Sequence, residues 1–247
     1  MKEINEDRRA HGKKPFDGNF GGGKPMEREV TVSTTDRESG MFRKGDHKHC
    51  FAYEAHTVCD RHNFILDTVV TSGDVHDSVA FDQLYEKVTG RFPEIQTVTM
   101  DAGYKTLWIC KRIIDDGRIP SLPYKRPMTK KGYHEWYKYV YDEYLGIVIC
   151  PEYRSLLYST TNRKGYREYK SLKYQCAACG TRHLCTESRE CQKTVTRHIW
   201  EDYIEQAEDM RHSAQGKESY RLRSQTIERV LPTQKKNMEC VIRLTGA

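Results

Sequence analysis

No apolar run in these 247 residues approaches the roughly 20 needed to cross a bilayer, which excludes a spanning helix. The N-terminus also lacks the pattern of a secretory leader, because MKEINEDRRAHGKK is charged throughout. Apolar residues make up only 37% against 31% charged, which fits a soluble globular chain with a modest core. The length allows one large domain or two small ones. A large excess of one charge is missing too, and the net +6 is a mild bias toward polyanions. Cysteine is not scarce: there are nine, four of them between Cys176 and Cys191. Without a secretory signal that density reads as metal ligands before disulfides, and the expected location is cytoplasmic.

The first 45 residues read as a charged, Gly-rich tail or linker, since FDGNFGGGKPMEREV has few apolar anchors. Firm order is expected from near His47. HCFAYEAHTVCD and FILDTVVTSG are strand-like and flank the turn-prone Asp60–Asn63, which predicts an antiparallel hairpin. DSVAFDQLYEKVTG follows as a helix, with Asp77/Ser78 as its cap, Phe81, Leu84, Tyr85 and Val88 on one face, and Gly90 as its stop. Thr97–Met100 is a short strand. YKTLWICKRIIDDG is a second helix ended by Gly117, and RIPSLPY a further strand. The order is β-β-α-β-α-β.

Asp101 sits at the exit of the Thr97–Met100 strand, before Ala-Gly-Tyr. A carboxylate there suits a metal ion or a proton. The competing and commoner role is capping the helix behind it.

The element order matches a ribonuclease-H-like core entered at its second strand, with Asp101 ending the fourth. TTDRESGMFRKGDHKHCFAYEAHTVCD, VVTSGDVHDSVAFDQLY, VTMDAGYKT and SQTIERV, in this order, resemble the DDE-domain transposases of bacterial insertion sequences. The likeness runs from about Glu3 to Val230. It implies an α/β fold: a ribonuclease-H-like mixed sheet flanked by helices, here lacking its first strand, with a cysteine-rich insertion. By the same resemblance Asp101 corresponds to the second catalytic acid and Glu228 to the third. The bland alternative for Glu228 is a solvated helix residue paired with Arg229 or Arg223. The implied chemistry is hydrolytic nicking at the element ends, then attack of the freed 3′-OH on target DNA. Carboxylates supply hard oxygen ligands for the Mg²⁺ (or Mn²⁺) ions of such in-line displacements. His76 and Asp77 belong to the family pattern as well. Asp77 reads chiefly as the helix cap, and His76 as packing near the sheet end.

The chain between Asp101 and Glu228 is longer than one helix requires, and the surplus holds the cysteines. Cys176 and Cys179 form a C-x2-C pair, which seats two thiolates on one tetrahedral Zn²⁺. Cys150 and Cys185 are the chosen completing ligands because their surroundings resemble the family's insertion. Cys191, His183 and His198 are rivals, and four free thiols without metal is the alternative. Tyr and Lys/Arg interleave through YHEWYKYVYDEY and TNRKGYREYKSLKY, which suits either a DNA-contacting surface or an ordinary amphipathic insertion. Lys105, Arg221 and Arg223 are candidate DNA contacts near the acids.

The expected division is 1–45 tail, 46–126 core, 127–198 insertion, 199–230 helical return with the third acid, and 231–247 an aberrant tail. Two departures from the family stand out. Its first catalytic Asp has no counterpart here. Glu29 and Asp46 do not sit at strand ends, and Asp36 after VTVSTT is the best local substitute. The missing first strand would leave the edges of its neighbours unpaired and aggregation-prone. After Val230 the sequence LPTQKKNMECVIR departs from the family, with Pro232 breaking the helix. A single-nucleotide deletion would account for that change. The expectation is a C-terminal fragment of a transposase, homo-oligomeric in its intact relatives and inactive in this copy. The alternatives are a non-catalytic, zinc-containing DNA-binding remnant and a zinc-stapled interaction module.

Overall fold

The first expected pairing is set at the turn after Asp60. In the computed structural model, which describes residues 1–17, 31–44, 48–225 and 241–246, the Asp60 carboxylate accepts from the N–H groups of His62 and Phe64 at 2.8 and 2.9 Å. Asn63 takes a φ of 72°, a left-handed conformation that Asn adopts more readily than most residues.

In chain order the elements begin with α1 (Lys2–Ala10), β1 (Gly40–Lys44), β2 (Lys48–Cys59), β3 (Ile65–Ser72), α2 (Asp77–Arg91) and β4 (Ile95–Thr99). They continue with α3 (Leu107–Asp115), β5 (Ile119–Ser121), β6 (Val140–Asp142), β7 (Ile147–Ile149), β8 (Ser155–Thr161) and β9 (Tyr166–Lys170). The last are α4 (Lys173–Ala177), β10 (Thr194–His198), α5 (Glu201–His212), α6 (Ala214–Gln225) and β11 (Val241–Gly246). Two compact units result, one from residues 26–125 and 202–247, the other from 1–25 and 126–201.

The first unit is a mixed sheet with helices, compatible with a ribonuclease-H-like architecture. Its strands run β1-β2-β11-β4-β5, with β3 also paired to β2. The expected hairpin forms as β2 against β3, antiparallel from Tyr53↔Ser72 to Cys59↔Ile65. β5 lies parallel to β4. The predicted face of α2, with Phe81, Leu84, Tyr85 and Val88, is buried against Val58, Val98, Ile109 and Ile113. Each such side chain contributes about 1.5–3 kcal/mol by leaving water.

One expectation is corrected here. The facing edges of β2 and β4 are not open, because β11 pairs with both, parallel to β2 (Val241↔Thr57) and antiparallel to β4 (Leu244↔Val98). Buried backbone N–H and C=O groups need partners. The Val-Ile-Arg-Leu-Thr run of the tail, rich in β-formers, supplies them.

The second unit is an antiparallel sheet in the order β10-β9-β8-β7-β6, around Tyr139, Val148, Leu156, Tyr169 and Val195. Residues 2–10, within the segment expected to be a tail, form α1. No α1 residue is buried, so polar anchors hold the helix. Arg167 pairs with the Asp7 carboxylate at 2.6 Å, the Thr161 hydroxyl donates to it at 2.6 Å, and Arg8 donates to the Thr161 carbonyl at 2.5 Å.

Candidate functional site

At the end of β4 the chain passes from Met100, fully buried, to Asp101, whose side chain is 52% exposed. Its Oδ1 accepts from the Ala102 N–H at 3.0 Å and starts one turn of 3-10 helix, Ala102–Tyr104. Thr106 then caps α3 through the Ile109 N–H at 3.3 Å. The capping role of Asp101 is therefore real, and it leaves the carboxylate facing solvent at a strand end. The Arg223 guanidinium meets Asp101 Oδ1 at 3.0 Å, so α6 delivers its C-terminal turns to this corner. Glu228 lies outside the described residues, three positions past the end of α6.

The other two candidate cations are engaged elsewhere. Arg221 makes two bonds of 2.9 Å to Glu218. Lys105 is ion-paired with Glu208, with only 9% of its side chain exposed, and burial holds its pKa below that of a free lysine. Asp36, the local substitute for the first acid, receives the Tyr53 hydroxyl at 2.8 Å.

Beside the Asp101 turn the structure gathers residues that the sequence reading did not combine. Glu54, His56 and Asp77 bring one ligand atom each within 4.8 Å of one another, and among the described residues no other group of three or more His, Cys, Asp or Glu does so. Glu54 and His56 share a face of β2 because strand side chains alternate. His56 is fully buried, with Nδ1 2.9 Å from the Tyr104 hydroxyl and Nε2 2.9 Å from Thr71 Oγ1. Burial lowers its pKa, partly offset by the Asp77 charge. The expected cap is also corrected: His76, not Asp77, caps α2, its Nδ1 accepting from the Ser78 N–H at 3.2 Å. Asp77 instead turns toward Gly103, where an added Cβ would stand 2.5 Å from Asp77 Oδ2. Glu54 and Asp77 line a cavity of about 550 Å³, together with Gly40, Gly73 and Arg37. The available signal was the i, i+2 pairing of Glu54 and His56 within a strand, which in sequence resembles an ordinary core histidine.

One cysteine of the second unit contacts Tyr139. Its hydroxyl donates to Cys185 Sγ at 3.2 Å, and Cys150 and Cys176 are close enough to perturb the phenol electrostatically. Burial pushes the Cys185 thiol up, against the lowering effect of the Tyr139 bond. The Arg154 N–H points at Cys150 Sγ at 3.4 Å. Cys176 donates to Ser171 Oγ at 3.1 Å, and Cys179 lies 3.4 Å from Thr181 Oγ1. Of the rival ligands, His198 is committed to the Lys164 carbonyl and the Trp200 N–H, both at 3.0 Å. Cys191 accepts from Arg182 at 2.6 Å.

Residues 149–246 match the family model described as the transposase DDE domain. That span takes in five of the cysteines just described, Glu228 and the segment after Val230. No curated protein and no solved structure matches the chain significantly.

Proposed function

We propose that this chain, whose residues 149–246 match the transposase DDE domain, derives from an enzyme of metal-dependent DNA end cleavage and strand transfer. DDE transposase domains generally use divalent metals. Asp101 and Glu228 would hold Mg²⁺ (or Mn²⁺), and Asp101 fits that use because its carboxylate is a hard ligand presented to solvent at a strand end. When bound, such ions activate the attacking oxygen and stabilise the leaving one. The observation that carries the reading is the 3.0 Å contact of Arg223, in the last turn of α6, with Asp101. Arg223 also offers positive charge to a DNA phosphate there. The partners on this reading are element ends, target DNA and further copies of the chain, in the cytoplasm.

We further propose that this chain by itself does not cut DNA. The strand between β2 and β4 is β11, and its sequence VIRLTG contains no carboxylate. Asp36 is bound to Tyr53 and makes a poor replacement. The test is Mg²⁺- or Mn²⁺-dependent nicking of DNA carrying the element's own ends, by this chain and by Asp101→Ala. No nicking by either chain is expected. Nicking that Asp101→Ala abolishes would mean that another carboxylate completes the site, and the inactivity reading would fall.

A second reading, a zinc-containing DNA-binding remnant, is favoured by the C-x2-C pair Cys176/Cys179 beside Cys150 and Cys185 in the sequence, although no three of these sulfurs lie within 4.8 Å of one another. Thiolates are the ligands of structural zinc, and the N–H aimed at Cys150 Sγ would stabilise one of them.

A further inference from the structure

Two carboxylates and an imidazole meet where β2 faces the start of α2, outside the pair of acids invoked above. We propose that Glu54, His56 and Asp77 form a separate binding site for one divalent cation of borderline hardness, Mn²⁺ in preference to Mg²⁺. The site does not depend on the transposase reading and stands whether or not the chain cuts DNA.

Geometry is the first support. The three ligand atoms lie within 4.8 Å of one another. An ion with bonds of about 2.1 Å sets adjacent ligands about 3 Å apart and opposite ones about 4.2 Å apart, so small side-chain shifts close the site. Donor chemistry is the second. Imidazole suits first-row transition ions and carboxylates suit Mn²⁺, a mixture that Mg²⁺ matches less well.

Asp77 supplies the third support. With His76 holding the helix cap, the Asp77 carboxylate is turned toward the Gly103 backbone, a place that any side chain at 103 would fill. The fourth is access. Glu54 and Asp77 line the cavity of about 550 Å³, so an ion can reach them from solvent. Orientation of His56 is the fifth. Its two partners, Tyr104 and Thr71, are hydroxyls that can donate or accept. One can hold the ring N–H while the other turns away from the remaining lone pair, which is how outer partners fix a ligating histidine.

The experiment is Mn²⁺ titration of the full chain, followed by electron paramagnetic resonance of the free ion. Mn²⁺ is the probe because thiolates bind it poorly, so the cysteines do not compete. The parent chain is compared with Glu54→Gln, Asp77→Asn and Asp101→Asn. The Mn²⁺ held at this site is expected to show a dissociation constant raised about tenfold or more in Glu54→Gln and Asp77→Asn, whereas Asp101→Asn removes only an ion held at the other corner. Gly103→Ala keeps every charge and should weaken Mn²⁺ by crowding Asp77, which covers the case in which a carboxylate variant misfolds. Mn²⁺ affinity indifferent to Glu54→Gln, Asp77→Asn and Gly103→Ala would overturn the proposal. A loss confined to Asp101→Asn would overturn it too, by assigning the ion to the other corner. Nicking activity enters neither outcome, so this proposal and the transposase reading fail separately.

Discussion

His198 carries its proton on Nε2, because that nitrogen faces the Lys164 carbonyl while Nδ1 accepts from the Trp200 N–H. Protonating Nδ1 would break the second bond inside a packed site, where a Cβ on Gly165 (φ 85°) would already stand 2.6 Å from the ring. Burial, above all, lowers the His198 pKa in the fold, and nearby Arg167 adds to the effect while the Lys164 carbonyl opposes it. The unfolded chain therefore binds the proton more readily. The stabilisation is complete above the unfolded value of about 6.5 and is lost as pH falls below it. Urea unfolding followed by tryptophan fluorescence should show a midpoint that drops from pH 7 to pH 5, with a flatter profile in His198→Gln. Identical slopes for the two proteins would contradict this. At the same scale, the position of Asp101 at a strand exit was legible, because a polar residue behind a β-branched run marks the end of a strand. The cap of α2 was misread because an imidazole nitrogen can do what Asp usually does at that position.

Elements with local causes were legible. The hairpin followed from its Asp60 turn, and α2 and α3 from apolar spacing, with Gly117 (φ 71°) closing the end of α3 as expected. Helix α1 was hidden because it buries no residue and is held by Asp7 and Arg8 against chain more than a hundred positions away. Strand β11 was hidden for a related reason: a six-residue run carries no local mark of which edges it will join. Removing residues 241–247 should expose the inner edges of β2 and β4, which are templates for intermolecular pairing. Light scattering should then report soluble oligomers or aggregate, and hydrogen exchange should report lost protection in β2 and β4. A monomer with unchanged protection would mean that β11 does not hold the sheet.

At the scale of the whole molecule, two separately built units divide the chemistry. One carries the carboxylates and the histidine, the other the cysteine group. Purified chain is expected to contain about one zinc, and Cys176→Ser should reduce that content and lower the thermal stability of the 126–201 segment. Zinc-free protein with unaltered melting would leave these thiols as ordinary packing groups. The order of synthesis adds a kinetic consequence. β2 and β4 emerge from the ribosome well before the strand that lies between them, with Met100 to Cys240 still to be made. At about 5–20 residues per second that wait is on the order of ten seconds, and throughout it two adjacent strand edges stand open to whatever nascent chain or chaperone is nearest.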